Sequence, residues 1–201
     1  MIKSILSKLG SALSSGNRLI TFNVNDRIGP IDRSLTYTEP IANFLQSKNW
    51  GKVVNEGTFL QKSGEISGCD IQIELTPHAD FKLFITQIAS VVEELGMPKG
   101  SNLIIERTNK QIKVGRMEGL ALYLTKNFNN NAGLSTEEVE NFARSLHDTV
   151  GHTNLVDRSW SGEKEEAAYF YNTSFQEMQE DVQECLVRYN LMEFSRIVQI
   201  A

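Results

Sequence analysis

Residues 81–95, FKLFITQIASVVEEL, and residues 175–189, FQEMQEDVQECLVRY, carry one template twice. Phe81, Phe84/Ile85, Ile88, Val91/Val92 and Leu95 form one apolar stripe. Phe175, Met178, Val182, Cys185/Leu186 and Tyr189 form another at the same offsets. Spacing of this kind puts apolar groups on one face of a helix, against a core. Its recurrence within one chain indicates an internal duplication.

The duplication extends outward from these helices. Thr38-Glu39-Pro40-Ile41-Ala42-Asn43-Phe44-Leu45-Gln46-Ser47 matches Thr136-Glu137-Glu138-Val139-Glu140-Asn141-Phe142-Ala143-Arg144-Ser145, with Thr, Glu, Asn, Phe and Ser in register and Phe44 aligned to Phe142. Ser135 with Glu138 reads as a capping box, and Pro40 suits a first helical turn, where its missing N–H would have had no partner. Between the two helices of each copy lies a hairpin. Lys52 to Leu60 turns at Lys62-Ser63-Gly64-Glu65 into Cys69 to Leu75, and Asn154 to Trp160 turns at Ser161-Gly162-Glu163 into Ala167 to Tyr171. Ile71, Ile73 and Leu75 alternate with Gln72 and Glu74, the period of a sheet with one buried face.

Strands at Arg18–Val24, Asn102–Arg107, Leu120–Leu124 and Arg196–Ile200 complete each unit as β-α-β-β-α-β. That order predicts an α+β protein of two tandem ferredoxin-like units with antiparallel sheets. The expected divisions are an N-terminal amphipathic helix at 1–16, a first unit at 17–116 and a second at 117–201. Thr108 to Arg116 is read as a short, partly strand-like connector. In the N-terminal segment Ile2, Ile5, Leu6, Leu9 and Leu13 fall at helical spacing, unlike the continuous apolar core of a signal peptide.

Composition narrows the function. The 201 residues include 20 Lys and Arg against 25 Asp and Glu, a formal net charge of -5, which disfavours a generic nucleic-acid surface and suits a basic protein partner. No apolar run approaches the ~20 residues that span a bilayer. Cys69 and Cys185 show no paired spacing, so neither a disulfide framework nor a zinc site is expected, and a cytoplasmic setting is. No cofactor is signalled. His147, Asp148 and His152 cluster near a helix end but lack the i, i+4 spacing that brings two ligands to one face, and polarity at the helix terminus accounts for them. Pro98-Lys99-Gly100-Ser101 lacks the full phosphate-loop spacing and precedes a strand.

Cys69-Asp70-Ile71-Gln72-Ile73-Glu74-Leu75, Glu94-Leu95-Gly96-Met97-Pro98-Lys99-Gly100-Ser101, Met117-Glu118-Gly119-Leu120-Ala121-Leu122-Tyr123-Leu124, Ala168-Tyr169-Phe170-Tyr171 and the C-terminal Arg196 to Ala201 resemble an uncharacterised bacterial family of tandem ferredoxin-like proteins. That resemblance implies the duplicated fold and carries no catalytic motif. The family often has Pro-Leu-Cys before the last strand. Here Asn190-Leu191-Met192 stands instead, so no role of that cysteine transfers. Similar small proteins include the immunity partners of bacterial toxins, which associates the chain with toxin neutralisation.

Candidate functional residues are the acids of the two hairpins with one aromatic. Glu56, Glu65 and Asp70 on the first, and Asp157, Trp160, Glu163 and Glu165 on the second, are expected to meet a basic partner. The expected function is a non-enzymatic protein-binding module. The competing reading is a small-molecule regulator or enzyme with its ligand at the interface of the two units. The N-terminal helix is a candidate for homodimer contacts.

Overall fold

A computed structural model describes residues 18–150 and 158–201. The expected N-terminal helix at 1–16, and residues 151–157 with His152 and Asp157, lie outside the described residues. The chain divides into two compact units: Met1–Phe59 with Ser67–Arg116, and Leu60–Ile66 with Met117–Ala201.

The first unit begins with β1 (Arg18–Val24). A helical run follows, of α1 (Pro30–Arg33), a π turn (Ser34–Thr38) and α2 (Glu39–Ser47). Then come β2 (Gly51–Leu60), β3 (Ile66–Leu75), α3 (Phe81–Glu94), β4 (Ser101–Ile105) and β5 (Lys110–Val114). Its sheet has the order β2-β3-β1-β4-β5, and the first four strands form the ferredoxin-like arrangement. β1 pairs antiparallel with β3, Phe22 opposite Ile71, and with β4, Phe22 opposite Leu103. Alternation then buries Ile20, Phe22 and Val24 of β1 together with Ile71, Ile73 and Leu75 of β3. The helices bring Ile41 and Leu45 of α2 and Phe84, Ile85, Ile88 and Val92 of α3 to the core. Asp80 caps α3 by accepting from the N–H groups of Lys82 and Leu83.

One expectation is borne out and another corrected in this unit. The partly strand-like connector contains a fifth strand, β5, which pairs with β4 along its whole length and covers an edge that would otherwise be open. The first helix does not start near Pro40 but ten residues earlier, at Pro30. Pro40 cannot donate to the Thr36 carbonyl and its ring crowds that turn. The helix accommodates it by widening into the π turn, where the Glu39 N–H reaches back to the Ser34 carbonyl.

In the second unit β6 (Glu118–Thr125), α4 (Phe128–Ala132), α5 (Thr136–Val150), β7 (Ser159–Ser161), β8 (Glu165–Asn172), α6 (Phe175–Arg188), a 3-10 turn (Met192–Phe194) and β9 (Ser195–Gln199) follow in order. The sheet order β7-β8-β6-β9 repeats the arrangement of the first unit. Leu120 and Leu122 of β6 pack with Phe142, Leu146 and Val150 of α5 and with Met178, Val182, Cys185 and Leu186 of α6. The capping box at α5 forms as the spacing predicts. Both Ser135 N–H and Oγ–H donate to Glu138 Oε2 at 2.8 Å, and Ser135 Oγ accepts from the Glu138 N–H at 3.3 Å. The Ser135 backbone N–H, then its hydroxyl, hold the Glu138 carboxyl below the usual carboxylate range.

The duplicated α3 and α6 stripes agree at three positions, Phe84, Ile88 and Val92 being buried where Met178, Val182 and Leu186 are, though Phe81 is buried and Phe175 only partly. The other pair does not. Phe142 is buried, but Phe44 is only half-buried and stands edge-on to Trp50 at 5.9 Å, while Ile41 and Leu45 fill the core. The side of a helix that meets the sheet is set by its path over the sheet, and the long run from Pro30 arrives in a different rotation from α5.

Candidate functional site

In the first unit the helical run and β2 enclose an open groove of about 870 Å³, with Ile31, Leu35, Thr38 and Glu39 on one wall and Val54 and Glu56 on the other. Ile31 and Leu35 are one helical turn apart and 78% and 60% exposed; Val54 is 42% exposed. These three side chains give the groove an exposed apolar rim.

Ion pairing and hydrogen bonding fix the groove's floor. Arg33, only 5% exposed, donates from Nε to Glu56 Oε2 at 2.9 Å and from Nη1 to the Gly57 carbonyl at 2.8 Å and Thr58 Oγ1 at 2.7 Å. Thr38 Oγ1 donates to the same Glu56 oxygen at 3.0 Å. A buried guanidinium is tolerable only when its charge is met and its N–H groups are occupied, and Glu56 with β2 does both. Behind it, the Tyr37 hydroxyl donates to Asp26 Oδ2 at 2.7 Å, with both residues wholly buried. The run from Pro30 is thus fastened to β2 at Arg33 and Thr38 and to the segment after β1 at Tyr37, and Ile31, Leu35 and Glu39 are left outward.

Cys69, fully buried in the same region, has its thiol pushed up to about 12, chiefly by burial and next by the Asp26 charge. It is therefore a packing group and not a nucleophile. Asp70, the next residue of β3, presses against β2 where a side chain on Gly57 could not fit: a Cβ there would lie 2.3 Å from Asp70 Oδ1. That oxygen is buried with no hydrogen-bond partner among the described residues.

The expected partner-binding residues divide between the units. Glu56 lines the groove, and Asp70 lies in the same unit. Glu65 belongs to the second unit, where it is 5% exposed and its Oε1 accepts from the hydroxyls of Tyr123 at 2.7 Å and Tyr169 at 2.9 Å. Glu165 is bound bidentately by Arg196, Nε at 2.9 Å and Nη2 at 2.8 Å, and the guanidinium lies 3.6 Å over the Tyr123 ring. The Arg196 hydrogen bonds hold the Glu165 carboxyl below its usual range. Trp160 is half-buried in β7 and Glu163 is exposed in the turn that follows. His147 and Asp148 sit 3.4 Å apart on the exposed side of α5. Among the described residues no three His, Cys, Asp or Glu side chains come together to hold a metal ion.

Ile31, Arg33, Leu35 and Thr38 were missed by sequence reasoning. Pro30 at a first helical turn followed by Ile31 and Leu35 at i, i+4 was the signal available for the helix. Nothing local pairs Arg33 with Glu56, which is on another element.

No helix among the described residues is long and apolar enough to cross a membrane. No protein-family model matches the chain, and no curated protein matches it. Among solved structures, a mutant chlorite dismutase from Candidatus Nitrospira defluvii aligns at 10% identity over 92% of this chain and 91% of its own, with a TM-score of 0.29. An unknown protein from Galdieria sulphuraria aligns at 14% identity over 93% and 98%, with a TM-score of 0.28. The duplicated ferredoxin-like fold rests on the strand orders of the two sheets, and alignments this loose assign nothing to the groove.

Proposed function

We propose that this chain is a non-enzymatic protein-binding module whose first unit receives a basic, apolar-flanked segment of a partner in the groove between the helical run and β2, toxin neutralisation being one use of such a module. The observation that carries this reading is the pairing of exposed Ile31, Leu35 and Val54 with the carboxylates of Glu39 and Glu56 around one groove. Arg33, the basic residue on the groove wall, is committed to Glu56 and to β2, so it offsets Glu56 and leaves the exposed Glu39 as the lining carboxylate that it does not offset. An open groove suits a chain segment better than a small molecule, which typically has about 70–90% of its surface enclosed by its pocket. Arg33 and Glu56 are held rigidly by each other, an arrangement suited to shape and charge recognition more than to proton transfer.

The test is fluorescence anisotropy with a labelled peptide of alternating Leu and Lys, and a Leu and Glu peptide as control. Binding of the basic peptide at low salt, weakened at least tenfold by Leu35→Lys with unchanged thermal stability, supports the reading. Equal binding of both peptides, or no effect of Leu35→Lys, overturns it. For the toxin reading, co-purification with the product of a neighbouring toxin-like reading frame should be lost in Leu35→Lys; retention by that variant overturns the assignment of the groove.

A further inference from the structure

The β2 wall of the groove is made by four consecutive residues, Val53, Val54, Asn55 and Glu56. Side chains of a strand alternate between faces, so a groove lying over one face of a sheet is lined by every second residue. Consecutive residues place this groove along the edge of the strand. Exposure agrees with that placement. Val54 and Asn55, neighbours on opposite faces, are both exposed, whereas β3 alternates between buried and half-buried from Cys69 to Leu75.

β2 is the last strand of its sheet, and no other strand of that sheet pairs with its outer side. The lined stretch covers about 13 Å, along which every second residue turns its N–H and C=O outward. The helical run reaches β2 through Arg33 at the Gly57 carbonyl and the Thr58 hydroxyl, and through Arg33 and Thr38 at Glu56 Oε2, so the main chain of residues 53–55 is left to the groove. Two of the other sheet edges are blunted. β7 is three residues long, and β5 has Lys110 and Lys113 among its five. β2 runs for ten residues, and the single charge of its groove stretch, Glu56, is tied to Arg33.

We propose that the partner segment binds in extended conformation and adds to β2 as a further strand of the first sheet, with apolar side chains against Ile31, Leu35 and Val54 and a lysine or arginine toward Glu39. The proposal rests on the reading of the groove given above and adds to it the conformation of the ligand. A helix bonds its own N–H and C=O groups and would cover those of β2 without meeting them, whereas an extended chain meets them one for one. In strand addition the main chain supplies affinity and alternate side chains supply specificity. Glu39 is exposed and Arg33 is engaged by Glu56, so Glu39 is the carboxylate that selects a cation on the incoming strand.

The experiment uses the full chain and three fluorescein-labelled peptides of about eight alternating Leu and Lys residues, read by anisotropy at low salt. One is unmodified, one is N-methylated at every Leu and one at every Lys. N-methylation removes the N–H groups along one edge of an extended peptide and leaves the other edge intact, because N–H direction alternates as the side chains do. The expected result is at least tenfold weaker binding of one methylated peptide, with the other within about twofold of the unmodified one. Equal affinity of the two methylated peptides overturns strand addition. If both then match the unmodified peptide, or if both are lost while it binds, the groove reading stands with a ligand held by side chains or as a helix. Failure of the unmodified peptide to bind removes the groove reading and the proposal with it. Amide exchange of the chain followed by NMR gives a second readout. Saturating unmodified peptide should slow exchange at least tenfold at alternate residues within 53–56, and unchanged exchange across all four overturns the added strand.

Discussion

Glu56 is the carboxylate whose removal should be felt most in the first unit. Glu56→Ala takes the counter-charge from Arg33, whose side chain is 7% exposed, and an acceptor from Thr38, while Arg33 retains the Gly57 carbonyl and Thr58. Removing one partner of a buried ion pair costs about 3–5 kcal/mol. The Glu56 side chain is 28% exposed, so water can re-enter beside the guanidinium, and the expected loss is about 2–3 kcal/mol, below that range. For a unit of this size each kcal/mol lowers the melting temperature by about 4–8 °C. The decisive comparison is with Arg33→Met/Glu56→Ala, which removes the orphaned charge along with its partner and should recover at least about 1 kcal/mol of the loss. Urea denaturation followed by fluorescence measures both. Trp50 lies in the first unit and Trp160 in the second, so a Trp160→Phe background makes the signal report on the first unit. A cost below about 1 kcal/mol for Glu56→Ala, or a double variant no more stable than the single, would refute the account of Arg33 as a buried charge dependent on Glu56.

Three further outcomes follow from the packing. Phe142→Ala should cost about 3–5 kcal/mol by urea denaturation, and Phe44→Ala distinctly less because its ring is half-exposed; equal costs would show that burial has been misread. Gly162→Ala places a Cβ 2.1 Å from the Trp160 ring, so Trp160 must move, and its fluorescence should shift to the red with increased quenching by acrylamide, whereas an unchanged spectrum contradicts the contact. Cys69 should resist iodoacetamide at pH 8 in the native protein and react after denaturation. Its folded pKa is raised, so the stability it contributes is complete below the unfolded thiol value and declines as pH rises from about 9 toward 12; a Cys69→Ser variant with an identical alkaline limb would remove that cause.

The architecture was legible where the signal is local. The α3 and α6 stripes, the alternation of Ile71, Ile73 and Leu75, and the Ser135–Glu138 cap each lie within a few residues, and each appears where expected. The helix of Pro30–Arg33 and the π turn escaped notice because Pro40 reads as a start signal, and only the wider turn before it permits a helix to continue through. The groove was illegible for a different reason. Its determinants are pairings between distant positions, Arg33 with Glu56 and Tyr37 with Asp26, and hairpin acids that look solvated in a list prove to have internal partners, as Glu65 does with two tyrosines and Glu165 with Arg196. Charge in a sequence says that a residue wants water or a counter-ion, and only the fold decides which it receives.

The π turn at Ser34–Thr38 also acts as a buffer for chain length. A π turn takes up one residue more than an α turn while the helix on either side runs on, so losing one residue here would let an α turn take its place with Ile31 and Arg33 still on the groove side and Ile41 and Leu45 still in the core. The same loss from the α-helical positions between the π turn and Ile41 would rotate everything before it by about 100°, swinging Arg33 away from Glu56 and Ile31 off the groove wall. A change of length is thus absorbed at one place in this run and re-aims an exposed face at another, a route by which one scaffold could come to present different surfaces.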